Sequence, residues 1–298
     1  MWGLGAAVVI GPLNGGMEYP DAFRRQRSTL SRLAFDLGRW LAHFVNVLIP
    51  GTLRADLVLV ANRRTGDALP RGVTGHIVEL VENGVDFSVW QRSRRAENNP
   101  VRFIFVGRLV DWKALDIVLD AMSQLDRRLP IALEVVGDGP MRKRWQAAVD
   151  QTGSGLAVKF SGWLSQAECA LRLQESDVLV LPSLFECGGA VVLEAMAMGL
   201  PVIATQWGGP ADYLDESCGI LVKPSSREAL VAGFASAMSR LATSARLRAR
   251  LGDAGCARAR RHFDWERKID KILKLYELAA QRSRADQRQR SKGVTRVS

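Results

Sequence analysis

Short apolar, β-branched runs alternate with segments of helical period along most of the chain, and that alternation predicts βα units around a parallel sheet. The clearest series begins near Val101. Strands are expected at 103–106, 131–136, 158–160, 178–181 and 202–204, with helices at 114–129, 141–150, 166–175 and 189–198 between them. The fold class is therefore α/β, with a doubly wound sheet whose ligands sit at the carboxyl ends of the strands. The loops after Val106, Val136, Phe160, Leu181 and Ala204 are where chemistry is sought.

Upstream, strands at 7–10 and 57–61 with a long helix between them make about half of a second doubly wound lobe. Downstream, 227–238, 245–261 and 265–280 have helical period. The expected organisation is a partial N-terminal lobe at 1–86, a C-terminal domain at 87–263, a last helix at 264–281 and a basic tail at 282–298. Asn83-Gly84-Val85-Asp86 marks the boundary and a hinge. The tail carries Arg282, Arg284, Arg288, Arg290, Lys292 and Arg296 among few apolar residues, so it is expected to be disordered.

Composition narrows the class. The 298 residues suit two domains, and 47% apolar with 24% charged residues excludes disordered, collagenous and coiled-coil chains. The four cysteines contain no C-x-x-C pair, which argues against a disulfide framework or a structural zinc site and fits a reducing, cytoplasmic compartment. The apolar first ten residues lack a basic start and run into a glycine-rich segment, so they read as strand and loop rather than a signal peptide. Lys and Arg outnumber Asp and Glu by 41 to 31, a net +10 that suits an anionic substrate or an acidic membrane surface. Nucleic acid is not an expected partner, because the basic residues are not interleaved with aromatics on a recognisable module. The basic amphipathic run 24–48 leaves two readings open: a lobe helix packing its stripe on the sheet, or a helix resting on an anionic membrane.

The strongest local feature is Phe185-Glu186-Cys187-Gly188-Gly189-Ala190, which follows an apolar strand and opens a helix. Such a turn leaves the amides of Gly188, Gly189 and Ala190 at a helix N-terminus, ready to bond an anionic or polyhydroxylated ligand. Glu186 stands at the mouth of the turn and Glu194 lies inside the helix, and ionised carboxylates are acceptors for the donors of a diol. The plainer reading makes Glu186 a cap and leaves Glu194 in solvent. After the first strand of the series comes Gly107-Arg108-Leu109-Val110-Asp111-Trp112-Lys113, where Arg108 and Lys113 supply two cations for a diphosphate. Gly137-Asp138-Gly139-Pro140 is read as a tight turn rather than a dinucleotide fingerprint, because Pro140 occupies the turn. No D-x-D pair occurs, and His43, His76 and His262 are scattered, so no metal is expected. The absence of G-x-x-x-x-G-K-[ST] and G-x-S-x-G removes P-loop and α/β-hydrolase readings.

In order and spacing these pieces resemble the retaining family-4 glycosyltransferases of GT-B fold. The resemblance runs from Gly11-Pro12-Leu13-Asn14-Gly15-Gly16 through Asn83-Gly84-Val85-Asp86, the Gly107 to Lys113 loop, Phe160-Ser161-Gly162 and Leu181-Pro182-Ser183. It includes the E-x7-E pair Glu186 and Glu194, then Gly199-Leu200-Pro201 and Gly208-Gly209-Pro210. It implies that Arg108 and Lys113, beside Gly107, bind the donor diphosphate, with Glu186 on sugar hydroxyls and Glu194 on the ribose. Backbone at Gly188, Gly189 and Ala190 approaches sugar and phosphate, the stretch Gly162, Trp163 and Leu164 lies beside the base, and Gly15 and Gly16 form an acceptor-side loop.

The implied activity moves a hexose from a nucleotide diphosphate sugar to a glycan or lipid-linked acceptor in polysaccharide biosynthesis, without metal or cofactor. The cytoplasm, or the inner face of the membrane, is the implied location. A non-catalytic sugar-nucleotide-binding remnant is the alternative. Two departures stand out. Ala114 occupies a place where glycine often follows the lysine, and the family's glycine-bearing first strand and N-terminal-lobe histidine have no match, so an N-terminal truncation is expected.

Overall fold

The computed structural model describes residues 6–26, 51–92, 98–151 and 157–294, together with 37, 38, 41, 45 and 48; side chains beyond 284 are not described. The chain forms two units. One comprises Met1–Met17, Arg25–Glu82 and Trp265–Ser298, the other Glu18–Arg24 and Asn83–Asp264. The second unit begins at Asn83, and Val85 is tied to it because its N–H donates to Phe263 O (2.8 Å) and it bridges to Asp264.

The first unit holds a parallel sheet of β1 (Val9–Leu13), β2 (Leu57–Val60) and β3 (His76–Glu79) in that spatial order, with α1 (Arg63–Asp67) between the last two strands. β2 is buried along its whole length. The third strand was not anticipated, since His-Ile-Val-Glu is polar at both ends and mostly exposed. Most of the amphipathic run 24–48 lies outside the described residues, but Leu37, Leu41, Val45 and Leu48 in it are helical and exposed.

The second unit repeats strand and helix: β4 (Val101–Val106), α2 (Leu115–Ser123), β5 (Ile131–Val136), α3 (Arg142–Gln151), β6 (Val158–Gly162), α4 (Gln166–Glu175), β7 (Val178–Leu181) and α5 (Ala190–Ala197). It continues through β8 (Val202–Thr205), α6 (Gly209–Tyr213), β9 (Gly219–Val222), α7 (Arg227–Thr243) and α8 (Ala245–His262). All six strands are parallel, in the order β6-β5-β4-β7-β8-β9. Phe103, Ile104 and Phe105 of β4 and every residue of β7 are fully buried, as central strands covered by helices on both faces must be. At about 1.5–3 kcal/mol per buried large apolar side chain, this sheet dominates the stability of the unit. Capping sets the helix starts: Ser165 and Glu168 form a reciprocal capping box on α4, and Ser226 and Ser244 accept from Ala229 N and Leu247 N on α7 and α8.

The strand order places a reversal between β4 and β7, and the crevice of a doubly wound sheet opens at that point. The loops after those two strands therefore meet, although they are far apart in sequence.

The last helix, α9 (Trp265–Val294), belongs to the first unit, where Ile272, Leu275 and Ala279 pack against Leu57, Leu59 and Leu80. It runs past 281 and keeps the basic segment expected to be disordered in helix as far as Val294, because Ala, Gln and Arg at 285–290 are good helix formers and no proline interrupts them. Among the described residues, no helix is long and apolar enough to cross a membrane.

Candidate active site

At the carboxyl end of β4, Gly107 N donates to Val136 O (3.0 Å), and the chain turns through Asp111–Lys113 in one 3-10 turn. That turn sends Lys113 back over the strand end: a Cβ on Gly107 would lie 3.7 Å from both Cε and Nζ of Lys113. The ammonium is thereby brought into an ion pair with Glu186 of the loop after β7, and both side chains are about 85% buried (15% and 13% exposed). Leu184 N donates to Trp112 O (2.8 Å), which fastens the two loops together through their backbones. Arg108 is exposed on the same loop and makes no ion pair among the described residues. Ala114, immediately after the turn, has φ 48° and ψ 38°, so the preference for glycine at this place has a steric origin.

The neighbouring turn supports this loop. Gly137 has φ +129° and a Cβ there would lie 2.0 Å from Gly107 O; Gly139 has φ +158° and a Cβ would lie 2.4 Å from Leu109 O. Leu109 N donates to Asp138 O (2.9 Å) and Met141 N to Leu109 O (3.0 Å). Gly-Asp-Gly is thus a backbone-on-backbone platform. Asp138 accepts from Gly139 N and from Arg142, and these bonds hold its carboxyl below the usual range. Arg142 then stands beside Gly162, with Nη1 3.3 Å from where a Cβ would be. The sequence reading missed Arg142, although the Asp138–Arg142 spacing of four on a helix start was its signal. Beyond Gly162, Trp163 is 76% exposed and Leu164 is partly buried.

The loop after β7 ends at Gly189, which has φ 78° and is the N-cap of α5, with no side chain capping the helix. The amides of α5 therefore open on the space beside Glu186, whose Cγ is 3.1 Å from where a Gly189 Cβ would be. Gly188 is buried and Ala190 exposed. Gly209, at the start of α6, donates to Glu186 O (2.8 Å), and a Cβ on it would lie 2.0 Å from Gly188 O, so that glycine allows the turn to be braced from behind. Glu194 points from α5 into a largely buried position where desolvation raises its pKa to about 7. Its charge also raises the pKa of Cys169 on α4, secondarily to burial, and Cys169 Sγ lies 3.8 Å from Leu164 O. Gly15 and Gly16 lie in the first unit: Gly15 N donates to Thr65 Oγ1 (3.1 Å), and Gly16, at φ +68°, fits where a Cβ would meet Ala68 and Arg64.

Replacing Gly189 by Ala is expected to cost about 1–2 kcal/mol of stability for the left-handed backbone and to displace Glu186. Urea unfolding checks it; a stability equal to wild type would contradict the assigned backbone.

The profile of the glycosyl transferases group 1 family matches residues 86–258. The chain belongs to this family. The D-inositol 3-phosphate glycosyltransferase of Segniliparus rotundus is 33% identical over 216 residues, covering 68% of this chain and 47% of that protein. Among solved structures, sucrose-phosphate synthase from Thermosynechococcus elongatus has a TM-score of 0.64 at 26% identity, covering 77% of this chain and 59% of that one. Anabaena Alr3699/HepE, solved in complex with UDP and glucose, gives a TM-score of 0.63 at 20% identity, covering 75% and 63%. The fold is the two-sheet α/β type of the GT-B glycosyltransferases. The chain spans about half the length of the curated relatives it matches.

Proposed function

We propose that this family member is a retaining hexosyltransferase that takes its sugar from a nucleotide diphosphate donor and passes it to a glycan or lipid-linked acceptor in polysaccharide biosynthesis. One observation carries the reading: two loops far apart in sequence converge at the sheet's reversal, and there Lys113 and Glu186 stand together beside the uncapped start of α5. Charge builds on the departing nucleoside diphosphate as the glycosidic bond breaks. In this reading Lys113, Arg108 and the α5 amides neutralise it without a metal ion. Glu186 accepts from sugar hydroxyls, Glu194 from the ribose diol, and the Gly162, Trp163 and Leu164 stretch receives the base. Attack from the face the leaving group departs needs no enzymic nucleophile, so Glu186 positions the sugar and forms no covalent bond. The exposed Leu37, Leu41, Val45 and Leu48, at helical spacing, support a peripheral seat on an anionic membrane where a lipid-linked acceptor resides.

Two treatments test the site. Arg108→Ala is expected to weaken nucleoside-diphosphate binding by about 10–100-fold, the loss of a charge-assisted bond, while EDTA leaves it intact. Affinity unchanged by the substitution would remove Arg108 from the site. A large loss in EDTA would mean that a cation, not this pair of basic side chains, holds the diphosphate.

A further inference from the structure

β9 is the outer strand of the six-stranded sheet and, among the described residues, pairs only with β8. The crossovers β4–α2–β5 and β7–α5–β8 run in opposite directions, and right-handedness puts α2 and α5 on opposite faces. α7 packs on α2 and α8 on α5, so this helical pair straddles the sheet's edge, with both helices touching β9. A cavity of about 840 Å³ remains between the strand edge and the helices. It follows β9 from Gly219 to Leu221 and continues to Lys223.

Its chemistry is amphipathic. Leu214, Leu221 and Leu247 line it, and Lys223, Arg240 and Arg250 stand exposed around it. Among the described residues none of these three cations makes an ion pair. Of the two acids in the lining, Asp215 is already held by Arg258 (2.8 Å) and by Ser217, which leaves Glu216 against three cations. Backbone polarity adds direction. Val222 O accepts from Gln206 N on the β8 side, and successive residues of a parallel strand turn their N–H and C=O groups to alternate sides. Leu221 therefore offers its N–H and C=O to the cavity.

We propose that this groove receives an extended acidic peptide as a seventh strand of the sheet. Leu221 and the carbonyl of Gly219 supply the ladder, since the Gly219 N–H already donates to Asp215 O (3.1 Å); the leucines take one face of the incoming strand, and carboxylates at alternate positions reach the cations. The four residues of β9 span roughly 13 Å, so a segment of about four to six residues suffices. Nothing in this inference depends on the donor site, which lies at the reversal between β4 and β7, two strands inward.

Fluorescence anisotropy of a labelled hexapeptide of alternating valine and glutamate, titrated with the full chain, tests the proposal. Saturable binding is expected, lost at least tenfold in the double variant Arg240→Glu/Arg250→Glu, and lost also when the ladder-facing amides of the peptide are N-methylated. Thermal unfolding and nucleoside-diphosphate affinity of the double variant are expected to match wild type. Any of four results would overturn the proposal: no binding at millimolar chain, equal binding of a lysine-for-glutamate peptide, no effect of the double substitution, or undiminished binding of the N-methylated peptide. Full displacement by inorganic pyrophosphate at micromolar concentration would also overturn it, by making this a small-anion site.

Discussion

Lys113→Ala is expected to weaken nucleoside-diphosphate binding by roughly 100–1,000-fold, whereas Glu186→Gln leaves it unchanged or tighter. The asymmetry follows from the ion pair. Removing Lys113 deletes a cation from the phosphate position, a loss of about 1.5–3 kcal/mol for a charge-assisted bond. It also leaves the largely buried Glu186 carboxylate facing the incoming diphosphate with no countercharge, a like-charge repulsion that adds to this loss. Neutralising Glu186 has the opposite effect, since it frees Lys113 for phosphate. The double variant Lys113→Ala/Glu186→Gln is therefore expected to bind more tightly than Lys113→Ala alone, a coupling that a double-mutant cycle reads directly. Calorimetry of the four proteins decides the matter. Equal losses in both single variants would mean that the pair is a structural strut and not part of a phosphate site.

Glu194 gives the second large effect. Burial raises its pKa to about 7 from an ordinary 4.5, so the folded chain holds this proton more tightly than the unfolded one. The stability this contributes is fully present below 4.5 and is lost as pH rises through 7. With about 1.4 kcal/mol per pH unit, the loss amounts to about 3 kcal/mol. Glu194→Gln has no such proton to lose. Its stability relative to wild type is expected to be greater at pH 8.5 than at pH 4 by about that amount, measured by urea unfolding at both values. The same carboxylate has a functional signature, because a diol donates best to the ionised form. Donor affinity is expected to fall from pH 8 to pH 6 in wild type more steeply than in the Gln variant, which shares every other titrating group, the ligand's phosphate included. Parallel pH profiles for the two proteins would separate Glu194 from the ribose.

The alternation of apolar runs located β4 to β8 within one or two residues, because strands buried on both faces are continuous apolar stretches and stand out from helical period. β9 escaped because Gly219–Val222 is short and opens on a glycine, and β3 because its ends are polar. α2 was overextended: Leu125 and Leu129 continue the apolar period, yet the helix stops at Ser123, and Asp126 and Arg128 fold into a turn before Pro130. At the candidate site, the glycine turns and the residue types were legible, but their meeting was not. The contact between Lys113 and Glu186 depends on β4 lying next to β7, a property of strand order that no local spacing encodes. Arg142 beside Gly162 is similar, since it requires β5 and β6 to be neighbours. The elevated pKa of Glu194 needed the depth of α5 in the fold.

Calorimetric titration of the chain with UDP-, GDP- and ADP-sugars in the presence of EDTA tests the central claim, that the reversal between β4 and β7 is a metal-independent donor site. A single-site isotherm with one of these donors is expected, abolished by Lys113→Ala at the same concentrations. Absence of heat with all three up to millimolar donor, or an isotherm that Lys113→Ala leaves unchanged, would contradict it.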